Sequence, residues 1–360
     1  MNRVVITGIG AINSLGDDAN TLYYNVRNKK IGIKKIERFT TENLPIDSAS
    51  LIESFSPEKY VNKRIIKKID RFTQLALAST QLAVYDSELQ LDREDKNQIG
   101  IYFGNNSGGW EVCEQGFKER YEQGAQYVNP WQATAWFPAA AQGYISIIYG
   151  IKGQSKTFVS DRVSGAQALY FATHSIQYGR NKMIFAGGTE APITPFGICC
   201  YASNGEMKTK HTSDGIVLAE GSAALVLEEY EHAKARNVHI YAEIIGCDMG
   251  NIKYNKLECI KKFKQLKDNA GANDISLIFP ENNGNNAMDN LEHRMYVELF
   301  GEKLPEFLCV KKQLGHLYGA ATPTDVVIAC SCMEKENIDK VMINAVAMDG
   351  LDVMLLLAKC

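Results

Sequence analysis

A basic excess is missing from this chain: 39 Lys and Arg stand against 42 Asp and Glu, a formal net charge of -3, with a pI near 6.1. A surface that tracks a nucleic-acid backbone needs such an excess, so nucleic acid is excluded as the main ligand. There is no apolar run of membrane-spanning length. The opening residues, Met-Asn-Arg-Val-Val-Ile-Thr-Gly, read as a strand that begins at once, without a signal-peptide pattern. Neither a Pro/Ser/Gly-rich linker nor a low-complexity tract interrupts the 360 residues. The nine cysteines have no even framework and no zinc spacing: Cys330 and Cys332 are too close for a CxxC, and no histidine cluster joins them. They read as free thiols of a reducing compartment, so the expected location is the cytoplasm, away from any membrane.

What is present is an ordinary globular composition, 45% hydrophobic and 22% charged, enough for two cores or one large layered one. Short apolar runs that read as strands alternate with helical periodicity: Val4 to Gly10, Ile99 to Gly104, Lys156 to Val159, Met183 to Thr189, Ile216 to Glu228 and Ile240 to Ile245. From about residue 246 a second series begins, with strands at Ile275 to Phe279, Phe307 to Val310 and Val341 to Ala345, and helices over Asn290 to Phe300 and near Thr324 to Lys335. The chain therefore reads as α/β, with largely parallel sheets between helix layers and two halves, 1–245 and 246–360. Tyr60 to Asp86 reads as one long helix. Its basic residues Lys63, Arg64, Lys67, Lys68 and Arg71 form a solvated face or a dock for an acidic partner.

The segment around which these elements are arranged is Gln154-Ser-Lys-Thr-Phe-Val-Ser-Asp-Arg-Val-Ser-Gly-Ala-Gln167, where a strand turns sharply into a helix. Val163, Ala166, Tyr170, Thr173 and Ile176 recur at helical spacing, Ser160 or Asp161 can cap the start, and Gly179 can close the end. Such a turn commonly carries a nucleophile, because the free amides and the helix dipole stabilise a thiolate or an oxyanion. No cysteine falls in it. It carries Arg162 instead, and a guanidinium is electrostatically unfavourable at a helix N-terminus, so Arg162 should have an anionic partner.

Gly8-Ile-Gly10 invites a dinucleotide reading that fails at Asn13, where the fingerprint needs glycine. Trp110, Cys113 and Phe117, after the turn Asn105-Asn-Ser-Gly-Gly109, share one helical face, as a core stripe or as a pocket wall. His174, His211, His232, His239 and His293 show no metal spacing and read as surface or capping residues.

Five motifs in order carry a resemblance that covers nearly the whole chain: Val4-Val-Ile-Thr-Gly-Ile-Gly-Ala-Ile-Asn-Ser-Leu-Gly16, Gly150-Ile-Lys-Gly153, Ala186-Gly-Gly-Thr-Glu190, Ala219-Glu-Gly-Ser-Ala-Ala-Leu-Val-Leu-Glu228 and Lys311-Lys-Gln-Leu-Gly-His-Leu-Tyr-Gly-Ala-Ala321. They resemble a β-ketoacyl synthase of the thiolase-like superfamily. The resemblance implies an α-β-α-β-α sandwich of two pseudo-repeated halves, with the dimer interface in the first. That family's chemistry uses a cysteine to hold the acyl chain and two histidines to decarboxylate malonyl and stabilise the enolate. Matched motif by motif, Arg162 stands at the cysteine position and Glu281, in Pro280-Glu-Asn-Asn-Gly-Asn-Asn-Ala-Met-Asp289, at the first histidine. His316 and Lys311 are retained. Asn344-Ala-Val-Ala-Met-Asp-Gly350 stands where a gating phenylalanine is carried.

A ketosynthase stripped of cysteine and first histidine resembles the chain length factor of a type II polyketide synthase, the ketosynthase β-subunit, with an anthraquinone-type octaketide system as the favoured case. That subfamily's elbow usually carries glutamine, so Arg162 puts a priming decarboxylase role in doubt. The resemblance implies no catalytic residues of its own, no metal and no bound cofactor. It implies a heterodimer with a ketosynthase α-subunit, an acyl carrier protein bringing phosphopantetheine, and a shared tunnel for the growing polyketide in which Trp110, Cys113 and Phe117 limit length. The residues further suggest an Arg162–Glu281 ion pair filling the vacated centre. The alternatives are a stand-alone enzyme, either a malonyl decarboxylase or a synthase using a displaced cysteine such as Cys113 or Cys199, and a purely structural homodimer that binds acyl groups.

Overall fold

The computed structural model describes residues 1–251, 255–271 and 274–360. Its strands are β1 Val4–Asn13, β2 Ile33–Lys35, β3 Ser48–Ser50, β4 Ile99–Gly104, β5 Ser155–Phe158, β6 Met183–Glu190, β7 Gly221–Glu229, β8 Ala242–Asn251, β9 Leu277–Phe279, β10 Glu306–Phe307, β11 Lys340–Val346 and β12 Leu351–Ala358. β2 and β3 pair with each other; the rest form one ladder in the order β10-β9-β11-β12-β8-β1-β7-β6-β4-β5.

Reading outward from the middle exposes a repeat. The first half runs β1-β7-β6-β4-β5 and the second β8-β12-β11-β9-β10, the same permutation of five consecutive strands. The halves join where β1 and β8 pair antiparallel through Val5–Glu243 and Ile6–Ala242. β8 starts at Ala242, so the second half opens a few residues ahead of the expected break at 245/246.

Largely parallel sheets were expected, but the ladder is mixed. In each half the three outer strands run parallel, whereas the two joints nearest the middle are antiparallel. In the second half the antiparallel turn is forced by connection length, because only residues 347–350 separate β11 from β12, far too few for a parallel crossover.

Five layers result. The helices Arg71–Asp86 and Ala140–Tyr149 cover the outer face of the first half, placing Phe72, Leu75 and Ile145 against Ile101, Phe185 and Val226. Ser164–Gln177 and Ala321–Lys335 fill the middle, where Leu169, Ile176 and Val327 meet Leu225, Ile343 and Leu355. Lys256–Asn269 and Asn286–Phe300 cover the second half through Phe263 and Tyr296. Neighbours such as Leu225 and Val226 thus serve opposite layers, which is why this strand is buried along nearly its whole length. The thiolase-like sandwich is the observed architecture. Among the described residues no helix is long and apolar enough to cross a membrane.

The expected single helix from Tyr60 to Asp86 is broken. Asn62 caps a short helix Lys63–Ile66, and buried Asp70 starts a new one by accepting from the Phe72 amide at 3.1 Å. An uncharged helical interior would have no use for that carboxylate, so the cap overrides the continuous periodicity.

The two middle helices touch where Gly165 meets the turn after His316. A Cβ at Gly165 would lie 2.1 Å from the Gly319 carbonyl oxygen and 2.7 Å from Pro323 Cδ. Gly165→Ala is expected to destabilise the fold by about 1–3 kcal/mol, as overpacking of a close contact does, read as a lower midpoint of urea unfolding.

Candidate active site

The elbow joins β5 to the helix Ser164–Gln177 through Asp161, whose φ of +51° is in the left-handed region. Asn282 (φ +38°) and Tyr318 (φ +44°) are two further non-glycine residues in that region, and all three border one buried centre. Each strained position costs roughly 1–3 kcal/mol and persists only where surroundings hold it. Here the holders are visible. Ser164 Oγ accepts from the Ser160 amide at 2.9 Å and donates to the Asp161 carbonyl at 2.6 Å, while Asp161 Oδ2 accepts from the Met348 amide at 3.0 Å. Gly179 (φ +68°) ends the helix as expected.

Arg162 is 1% exposed and is among the largest fully buried side chains. Its guanidinium lies 3.4 Å from Asp161 Oδ2 and 3.3 Å from Glu206 Oε1. Asp161 and Glu206 therefore meet the helix dipole's demand for an anion beside Arg162. Among the ion pairs of the described residues, Glu281 faces His316, with Nε2 to Oε1 at 2.9 Å. Arg162 also lowers the Glu281 pKa, alongside Lys311 and His316. Beside the expected Glu281, Glu206 thus reaches the guanidinium, and the His316 imidazole is bonded to Glu281.

The imidazole's protonation follows from its contacts. The Tyr318 amide donates to Nδ1 at 2.9 Å, so Nδ1 is unprotonated and Nε2–H points to Glu281. Burial, together with Lys311 and Arg162, pushes the His316 pKa down and keeps the ring neutral, against the pull of Glu281. Glu281 is ionised. Burial opposes its charge, but Lys311, His316 and Arg162 outweigh burial and hold the carboxyl at about 2. Lys311 is pushed up to about 12, because Asp325 and Glu281 outweigh its burial. Its Nζ donates to Asp325 at 3.1 Å and to the Pro280 carbonyl at 3.2 Å. Glu292 fixes the loop from the other side, accepting from the amides of Glu281 and Asn282 at 3.0 and 3.1 Å.

Chemically, this centre carries no cysteine at the elbow, and the His316 imidazole has both nitrogens engaged. A substrate carbonyl would have to displace a carboxylate to reach His316 Nε2. An anion at that position repels an enolate rather than stabilising it.

Beside the centre, Trp110, Cys113 and Phe117 line one cavity of about 720 Å³ with Phe196, Cys200 and Trp136. Of the two readings of this stripe the pocket wall is the one found, although the Trp110 ring also leans on a core cluster. Cys199 is exposed, and burial raises the Cys113 thiol above its ordinary value. Sequence reasoning missed Glu206, Phe196 and Cys200. They lie on or after the helix Pro195–Ala202, and only the need for an anion near Arg162 pointed toward one of them. His232 is also no surface residue, since it sits between Glu94 and Glu228.

This fold and centre define a condensing-enzyme scaffold. The chain belongs to the β-ketoacyl synthase family: residues 1–233 match its N-terminal domain and 245–343 its C-terminal domain. It is 30% identical over 352 residues to a 3-oxoacyl-[acyl-carrier-protein] synthase 2 of Coxiella burnetii, and 29% over 349 residues to that of Staphylococcus aureus (strain COL). Each alignment covers 91% of this chain and 84% of the relative. Among solved structures, a chain described as a type II PKS acyl-carrier protein in complex with its ketosynthase bound to the hexaketide superposes with a TM-score of 0.85, at 26% identity and full coverage of both chains. The ishigamide ketosynthase/chain length factor gives 0.91 at 22% identity, covering 100% of this chain and 99% of that one, a likeness of fold alone.

The charge on Glu281 makes an acid-range prediction. A carboxyl lowered from 4.5 to about 2 contributes stability that is complete above its unfolded value and lost as pH falls from about 4.5 toward 2. Neutral His316 adds a loss of the same sign below its unfolded value of about 6.5. Glu281→Gln is expected to lower stability at pH 7 and to flatten the decline below pH 4.5, measured as urea midpoint against pH.

Proposed function

We propose that this chain is the non-catalytic partner of a ketosynthase, a chain length factor of type II polyketide synthesis that bounds the tunnel in which a poly-β-ketone grows. The observation that carries the reading is the Glu281–His316 bond in a centre whose elbow holds Arg162. Nothing there can form a thioester, yet the strained backbone of a reacting centre is kept. In this reading the acyl carrier protein's phosphopantetheine serves the partner's nucleophile, and Trp110, Cys113 and Phe117 close the far end of the chain's path.

The surface supports a partner. β5 ends the ladder with an open edge. Around it Ile147, Phe137 and Val159 are 72%, 54% and 52% exposed. An open strand edge with apolar neighbours is ordinarily covered. That one solved relative is described as a ketosynthase with a carrier protein and a hexaketide agrees with the partner classes proposed.

A second reading, a stand-alone synthase or decarboxylase, draws on the synthase relatives. It would need a nucleophile away from the elbow, and the raised Cys113 thiol is a poor one.

The test is co-expression with a ketosynthase partner and a carrier protein, followed by mass spectrometry of products from wild type and Trp110→Ala. Removing the indole is expected to lengthen the dominant product by at least one two-carbon unit, because volume is freed where each added unit must fit. Products of unchanged length would sink the gate assignment.

A further inference from the structure

The Trp110 ring is held by more than packing. Its Nε1 donates to Ser107 Oγ at 2.6 Å, and Ser107 Oγ lies 3.0 Å from the Tyr201 hydroxyl, with a hydrogen bond between them. Asn106 Nδ2 donates to the same hydroxyl at 3.0 Å. The neighbouring Asn106 amide is bonded by Glu190, which is fully buried and also accepts from the Gly319 amide at 3.3 Å. Tyr201 is 5% exposed, and its ring stands edge-on to Tyr318 at 4.8 Å and to Trp110 at 6.0 Å. Tyr318 in turn donates its amide to His316. An unbroken series of contacts thus runs from the vacated centre to the cavity wall.

The turn that presents Ser107 is equally constrained. Gly108 has φ +76°, and a Cβ there would meet the Trp136 carbonyl oxygen at 2.2 Å. Asn105 clamps the turn by accepting from the Gly108 amide at 3.0 Å and donating to the Pro138 carbonyl at 2.8 Å. Asp70 fixes the first turn of the Trp110 helix by accepting from the Val112 amide at 2.8 Å. Backbone and side chain are therefore anchored independently.

We propose that Ser107 and Tyr201 are positioning residues for Trp110, locking the indole in one orientation so that it acts as a fixed stop in the cavity rather than a ring that swings aside. The proposal rests on the chain-length reading above and deepens it. A half-buried indole without a hydrogen-bond partner could rotate toward the roughly 720 Å³ of adjoining space. With its N–H engaged by Ser107, rotation breaks that hydrogen bond. The series also gives His316 a role that needs no catalysis: its Nδ1 fixes the Tyr318 backbone, and the Tyr318 ring packs on Tyr201.

The test uses the complex with its ketosynthase partner, with two readouts. Products are sized by mass spectrometry for Ser107→Ala, Tyr201→Phe and the hydroxyl-conserving Ser107→Thr. Exchange of the Trp110 indole N–H is followed by nitrogen-15 NMR, the signal being assigned by its loss in Trp110→Phe. Expected are a mixture of wild-type and longer products for Ser107→Ala, a smaller shift for Tyr201→Phe, near wild-type behaviour for Ser107→Thr, and indole exchange about twofold to twelvefold faster in Ser107→Ala, the range that loss of an ordinary hydrogen bond gives. Unchanged exchange in Ser107→Ala overturns the proposal whatever the products. Faster exchange with wild-type product lengths, in a complex where Trp110→Ala does lengthen them, overturns it as a determinant of length. If Trp110→Ala leaves lengths unchanged while exchange responds, the gate reading fails and only the anchoring of the indole stands.

Discussion

A buried carboxylate bonded to a neutral imidazole sets the character of this protein. Glu281 and His316 face each other at 2.9 Å with Lys311 behind them, and the charge on Glu281 is tolerable only because Lys311, His316 and Arg162 surround it. Removing Lys311, the largest of these contributions, would leave the buried carboxylate poorly compensated, commonly a loss of several kcal/mol. The network therefore holds the loop of Glu281 and the turn of His316 in one arrangement. Arg162 obeys the same logic at the elbow. It lies at the positive end of a helix and is tolerable there because Asp161 and Glu206 flank it.

The centre also serves as a mechanical joint. The turn of His316 carries Tyr318 and Gly319. Tyr318 packs on Tyr201, Gly319 bonds Glu190, and both lead to the loop that presents Ser107 and Trp110. Gly165 and Gly319 bring the two middle helices close enough for this turn to contact the elbow. The left-handed Asp161, Asn282 and Tyr318, held by the bonds around them, show how rigid this joint is.

Much of this was legible from residue patterns. The two halves, the strand-to-helix elbow with Gly179 at its end, and the shared face of Trp110, Cys113 and Phe117 follow from periodicity and turn chemistry, which are local. What was not legible depends on contacts distant in sequence. β12 is a plain apolar run at the end of the chain, and its central position follows from pairing with β8 and β11, which no local signal encodes. The break at Asp70 was hidden because the apolar period continues across it, although the capping carboxylate was there to be read. Glu281 alone was expected beside Arg162; Glu206, which reaches the guanidinium at 3.3 Å, lies 44 residues beyond it in a loop without periodicity, so nothing local marked it.

Turnover of malonyl-loaded carrier protein by the purified chain on its own, followed by mass spectrometry of the intact protein for any covalent acyl adduct, addresses most directly whether the centre is chemically silent. With Arg162 at the elbow and Glu281 on His316, neither carbon dioxide release nor an acylated protein is expected, and adding the ketosynthase partner should restore both activity and an adduct on that partner alone. An acyl group found on any cysteine of this chain would contradict the reading, and that cysteine would mark the reacting centre.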